Sequence, residues 1–102
     1  MAAKKTAKIE IENVNHPGHI RLVDAGMYAA MRRAFLKVLP KTSPGRTAAE
    51  ILKAVPDHLP EALFPGGARA GWWTKAVQLD LEAKGLVARE KTTPLRWHKA
   101  RR

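Results

Sequence analysis

Cysteine is missing from all 102 residues. Its absence excludes a disulfide framework, thiolate metal sites and a cysteine nucleophile, and removes any argument for secretion. No uninterrupted apolar run approaches the ~18–20 residues that a membrane-spanning helix needs. The first residues lack the apolar core of a signal peptide. The expectation is a cytoplasmic protein without a membrane partner. Acidic side chains are scarce as well, nine Asp and Glu against 19 Lys and Arg. Asp80 has no second carboxylate at a spacing suited to acid–base work. Gly66-Gly67-Ala68-Arg69-Ala70-Gly71 is glycine-rich, but it lacks the lysine and hydroxyl of a phosphate-binding loop and follows no strand-like run. His16 and His19 stand three apart on a turn, with nothing nearby to complete a tetrahedral metal site. These gaps predict a protein that is not an enzyme and holds no metal or cofactor.

What is abundant is positive charge. The formal net charge is +10, and the sequence pI is near 10.6. A small domain with a pI above ~9 carries the electrostatic footprint of a polyanion binder. Residues 86–102 hold six of the basic residues and one acid, so half of the excess sits in the last sixth of the chain. The plainer alternative is a charge that only confers solubility. Apolar residues make up 45% of the chain, enough for one folded domain with a modest core.

Residues 1–7 are small and basic and read as a flexible tail. Residues 8–23 form an N-terminal arm. Lys8-Ile9-Glu10-Ile11-Glu12 alternates like a half-buried strand, Asn15-His16-Pro17-Gly18 reads as a turn, and Ile20, Leu22 and Val23 offer a second apolar patch. The arm is expected to lie across the domain or across a partner subunit. Residues 24–100 make up the domain itself. Asp24 is a good N-cap for a helix whose apolar face is Met27, Ala30, Met31, Ala34, Phe35 and Val38, and Pro40 ends it. Residues 41–46 read as a loop. Thr47-Ala48-Ala49-Glu50 matches a capping box ahead of a short helix with Ile51, Leu52 and Val55 as its stripe. Residues 57–67 are rich in proline and glycine, with a single helical turn expected around 61–64.

A third helix is predicted from about residue 68–70 to Lys84, closed by Gly85 in the left-handed conformation. Trp72, Trp73, Ala76, Val77, Leu79, Leu81 and Ala83 cover half of its circumference. The remaining arc holds Gly71, Thr74, Lys75, Gln78 and Glu82, a polar strip expected to face solvent. Asp80 falls inside the apolar arc and needs a partner, expected to be an indole N–H, Arg89 or Arg96. Trp73 and Trp97 are expected in the core and Trp72 at partial exposure. Leu86-Val87-Ala88-Arg89 and Leu95-Arg96-Trp97-His98-Lys99 then form a hairpin around Lys91-Thr92-Thr93-Pro94.

The order helix, capped helix, long helix and hairpin resembles the winged helix-turn-helix superfamily. The block Leu81-Glu82-Ala83-Lys84-Gly85-Leu86-Val87-Ala88-Arg89 looks like the exit of its recognition helix and the first wing strand. The whole chain also resembles a family of small bacterial proteins without an assigned function. The expected fold class is therefore α+β, mainly α with a small antiparallel hairpin: three helices plus a wing, preceded by an arm. The resemblance implies that the third helix enters the major groove of duplex DNA while the wing touches the backbone. It makes Thr74, Lys75 and Gln78 candidate base readers. Arg69 becomes a phosphate contact at the helix start. Lys91, Thr92, Arg96 and Lys99 become wing contacts that position without reading sequence. The span between second and third helices is much longer than a compact turn, and Asp80 and Glu82 put negative charge on the helix, two departures from the pattern. The leading expectation is a DNA-binding regulator or nucleoid-associated factor acting as a homodimer through its apolar arm. The alternatives are a winged protein–protein interaction module and a binder of structured RNA.

Overall fold

The computed structural model describes residues 7–100. The alternation at the start of the chain becomes strand β1 (Lys8–Ile11), which pairs antiparallel with β2 (Arg21–Asp24). Ile9 stands opposite Val23 and Ile11 opposite Arg21. Cross-strand partners share a face, and this one turns inward: Ile11 and Val23 are buried in the core. The arm thus lies across its own domain, while Ile20 and Leu22 stay exposed.

Asp24 does cap the first helix, α1 (Ala25–Val38); its carboxylate accepts a 2.8 Å bond from the Met27 amide. Met31, Ala34 and Phe35 form its buried ridge, joined one turn earlier by Tyr28, which the expected face did not include. Met27, Ala30 and Val38 pack at the margin of the core. The capping box forms as expected: Thr47 and Glu50 exchange bonds of 3.2 and 3.0 Å at the start of α2 (Ala48–Ala54). Of the expected stripe, Ile51 and Val55 are buried and Leu52 is exposed. The chain continues from α2 into a 3-10 turn over Val55–His58. A further turn closes on the Pro60 carbonyl through the Leu63 and Phe64 amides, and it sends Phe64 into the core and leaves Leu63 outside.

The third helix, α3 (Ala70–Ala83), ends in the cap that Gly85 was expected to supply. Gly85 has φ +76°. The Leu86 amide reaches back to the Leu81 carbonyl at 2.9 Å and the Gly85 amide to Glu82 at 3.1 Å, a Schellman pair that satisfies two orphan carbonyls. Strands β4 (Val87–Glu90) and β5 (Arg96–Lys99) form the predicted hairpin. One strand lies where a loop was expected. Residues Arg46–Thr47 form β3, which pairs with β5, so the sheet order is β3-β5-β4. Gly45 permits this approach: a Cβ there would stand 2.1 Å from the Trp97 carbonyl oxygen. The architecture is α+β, three helices and two small antiparallel sheets among the described residues. Its core joins Met31, Phe35, Ile51, Phe64, Trp73 and Leu81.

Candidate nucleic-acid interface

Packing splits the polar strip of α3. Thr74 is 7% exposed and Gln78 is 3% exposed, contrary to the expectation that both face solvent. The Thr74 hydroxyl donates to the Ala70 carbonyl at 2.6 Å and lies 3.6 Å from the Met31 sulfur. Gln78 Nε2 donates to Glu82 Oε2 at 2.9 Å. In this packing neither side chain is presented to a base edge. Lys75 is exposed, while Trp72, placed by periodicity on the apolar arc, is 39% exposed. The outward face of α3 is therefore rotated toward Trp72, Lys75 and Leu79. An apolar arc half a circumference wide does not say which of its margins is covered, and here α1 and the C-terminal hairpin, residues 87–99, cover the Thr74–Gln78 side.

Two carboxylates fix what surrounds this face. Asp80 is wholly buried, 0% exposed. It accepts from the Tyr28 hydroxyl, from Lys84 Nζ, and from the Glu12 amide at 2.8 Å. Burial raises the Tyr28 phenol well above its usual range, and the hydrogen bond to the Asp80 carboxylate adds to the rise. Asp80 thus binds α1 and the segment after β1 to α3. The expected indole and arginine partners belong instead to Glu82, two positions on. Glu82 accepts from Trp97 Nε1 at 3.0 Å and from Arg89 Nε and Nη2 at 2.9 and 3.2 Å. It pins both β4 and β5 to the helix.

Around Trp72 the structure gathers three cations. The Arg21 guanidinium carbon stands 5.0 Å from the Trp72 ring centroid and that of Arg69 stands 6.0 Å away. Lys75 follows one helical turn later on the same face. The indole itself is held edge-on by Trp73, centroids 5.1 Å apart. Among the described residues every salt bridge involves other cations: Lys84 with Asp80, Arg89 with Glu82, Arg96 with Glu50, and His98 with Glu90. Beside the cluster, the arm and α3 bound a groove of about 570 Å³, lined by Ile11, Ile20, Arg21, Trp72, Lys75 and Leu79 among others.

The residues of the β4–β5 hairpin form a second group. Lys91 is exposed at the turn. The Thr92 hydroxyl donates to the Pro94 carbonyl at 2.7 Å. Arg96 turns inward, donating to the Gly45 carbonyl at 3.2 Å and approaching Glu50 at 3.8 Å. Lys99 is half-buried, and its backbone amide bonds the Pro40 carbonyl at 2.8 Å. His98 bridges Glu90 Oε2 at 2.7 Å and its neighbour Lys99's carbonyl at 2.8 Å. The Glu90 hydrogen bond, then the Lys99 carbonyl, hold the imidazole above its ordinary pKa.

Of the sequence-derived candidates, Arg69 and Lys75 thus come together, and Lys91 projects separately from the turn of the β4–β5 hairpin. Arg21 was missed. Its signal lay in the pairing of Ile11 with Arg21, which puts the guanidinium beside an inward residue, but no local pattern carries an arm residue to α3. No group of three or more His, Asp or Glu residues suited to a metal ion occurs among the described residues. No helix there is long and apolar enough to cross a membrane. No curated protein and no solved structure matches the chain. A family match does extend over residues 8–97, from β1 into β5, and the chain belongs to the family of unknown function DUF6958.

Proposed function

We propose that this protein is a winged helix-turn-helix domain that binds duplex DNA through the Trp72 face of α3 and the tip of its wing. The element order α1, β3, α2, α3, β4, β5 and the strand order β3-β5-β4 support the winged arrangement. The observation that carries the binding is the exposed set of Arg21, Arg69 and Lys75 around Trp72, free of acidic partners among the described residues. Unneutralised cations on one face gain affinity by releasing condensed counterions from phosphates. Lys91 extends the charge onto the wing. With Thr74 and Gln78 internal, Lys75 is the remaining base reader of α3. The reading is accordingly of a binder with broad sequence tolerance, closer to a nucleoid-associated factor than to a selective regulator. Self-association through exposed Ile20 and Leu22 belongs to the same reading, and sedimentation of Leu22→Lys beside the wild type tests it.

The experiment is fluorescence anisotropy of labelled random duplex DNA, duplex RNA and single strands over a salt series. Duplex DNA should bind at about 50 mM salt, with log affinity falling linearly as log salt rises. Arg21→Ala, Arg69→Ala and Lys75→Ala should each lower that slope by about 1. A flat salt response, or no binding at low salt, overturns the proposal. Tighter binding of RNA transfers it to structured RNA. Retained affinity in all three variants removes the Trp72 face from it.

A further inference from the structure

The groove beside Trp72 does not resemble a bare phosphate-binding surface. One wall is α3, presenting Trp72, Lys75, Ala76 and Leu79; the other is the arm, presenting Ile11, Ile20 and Arg21, with His16 and His19 at the turn. The lining combines the cations Arg21 and Lys75 with the apolar surfaces of Ile11, Ile20, Trp72, Ala76 and Leu79. Arg21, Trp72 and Lys75 lie within one turn of α3 at its amino-terminal half. Leu79 lies two turns from Trp72, about 10 Å along the axis at 1.5 Å per residue. There the arm is fastened to α3 by the Val14 amide on the Leu79 carbonyl at 3.3 Å and by the Glu12 amide on Asp80 at 2.8 Å. The wall opposite α3 is thus fixed in place.

We infer that this groove is a binding site for a planar aromatic carboxylic acid, whose carboxylate meets Arg21 and Lys75 while its rings lie along Trp72, Ala76 and Leu79 toward Ile11. Three physical points support this occupant. A volume of about 570 Å³ falls within the ~300–1,000 Å³ typical of small-molecule sites. The cation-rich end carries two donors without acidic partners among the described residues, and a guanidinium takes a carboxylate through two parallel N–H bonds. Leu79 lies about 6 Å along the axis from Lys75 and about 10 Å from Trp72, a span that an aromatic ring system bearing one acid group fills. The lining carries one carboxylate, Glu12, whose backbone amide is bonded to Asp80.

The site shares Arg21 and Lys75 with the proposed DNA face, so ligand and duplex compete for the same charges. That consequence rests on the DNA-binding reading; the groove's occupancy does not, and the two are measured separately. Titration of the ¹⁵N-labelled full chain with 2-naphthoate should shift the Trp72 indole resonance and the amides of residues 12–21 and 72–79, saturably. The neutral amide 2-naphthamide should bind at least about tenfold more weakly, the ratio expected for losing a charge-assisted pair. Arg21→Ala and Lys75→Ala, both at exposed positions, should each weaken 2-naphthoate by about tenfold while leaving resonances of the wing in place. No saturable shift with 2-naphthoate or indole-3-acetate, shifts centred on the wing, or equal affinity for acid and amide each overturn the site. When duplex DNA binds, 2-naphthoate should release it in proportion to its own occupancy. Saturable ligand binding without that release would keep the site and remove the competition.

Discussion

Asp80 is fully buried and carries three donors from three parts of the chain. Replacing it by alanine removes the shared acceptor of the Tyr28 hydroxyl, the Lys84 ammonium and the Glu12 amide. Hydrogen bonds to a charged group contribute ~1.5–3 kcal/mol and the Lys84 end of the pair is solvated, so Asp80→Ala should lower unfolding free energy by about 2–3 kcal/mol in urea titrations. Lys84→Ala should cost less, because that side chain is 35% exposed and its loss leaves Asp80 two donors. A variant order with Lys84→Ala worse than Asp80→Ala would contradict this account. His98 contributes with a defined pH dependence. Its folded pKa is raised by Glu90 and the Lys99 carbonyl, so its stabilisation is complete below the unfolded value of ~6.5 and is lost as pH rises through the folded value. Thermal midpoints should decline over that window, and Glu90→Gln should flatten the decline.

Elements differ in how much of their placement local sequence carries. The Thr47–Glu50 box, the Asp24 cap and the Gly85 stop are readable because their partners lie within a few residues. Strand β3 was not readable: two residues long, it exists only because β5, some 50 positions later, offers an edge. The rotation of α3 escaped for a related reason. Its exposed margin depends on where α1, the arm and the wing settle, and Gln78 is internal because Glu82 gathers it with Arg89 and Trp97. The two informative glycines separate these cases. At Gly85 a Cβ meets nothing within 4 Å, so Gly85→Ala should cost only the ~1–2 kcal/mol of a left-handed residue. At Gly45 the backbone also has φ +94°, and the Cβ collides with the Trp97 carbonyl. Gly45→Ala should be clearly worse by denaturation and should weaken protection of the β5 amides in hydrogen exchange. Equal costs would mean that β3 moves away freely. Glu82→Ala should likewise loosen the wing, at about 1.5–3 kcal/mol for losing a charged acceptor.

At the scale of the molecule, the excess charge and the α+β architecture were legible, whereas the arrangement of that charge was not. Composition supplies +10 without saying that Arg21 of the arm would stand beside Trp72 and Arg69, a meeting across some 50 residues. The β4–β5 hairpin, richest in basic residues by sequence, turns Arg89 and Arg96 toward its own framework. Two of the three indoles, Trp73 and Trp97, are internal, and only Trp72 reaches solvent. The protein consequently contains its own optical reporter. A collisional quencher added to the bathing solution should silence one emitter of three, and iodide, drawn in by the flanking guanidinium groups, should do so more efficiently than uncharged acrylamide. That advantage should fade as sodium chloride is added, so a simple emission titration measures the local electric potential at the very indole around which the cations assemble.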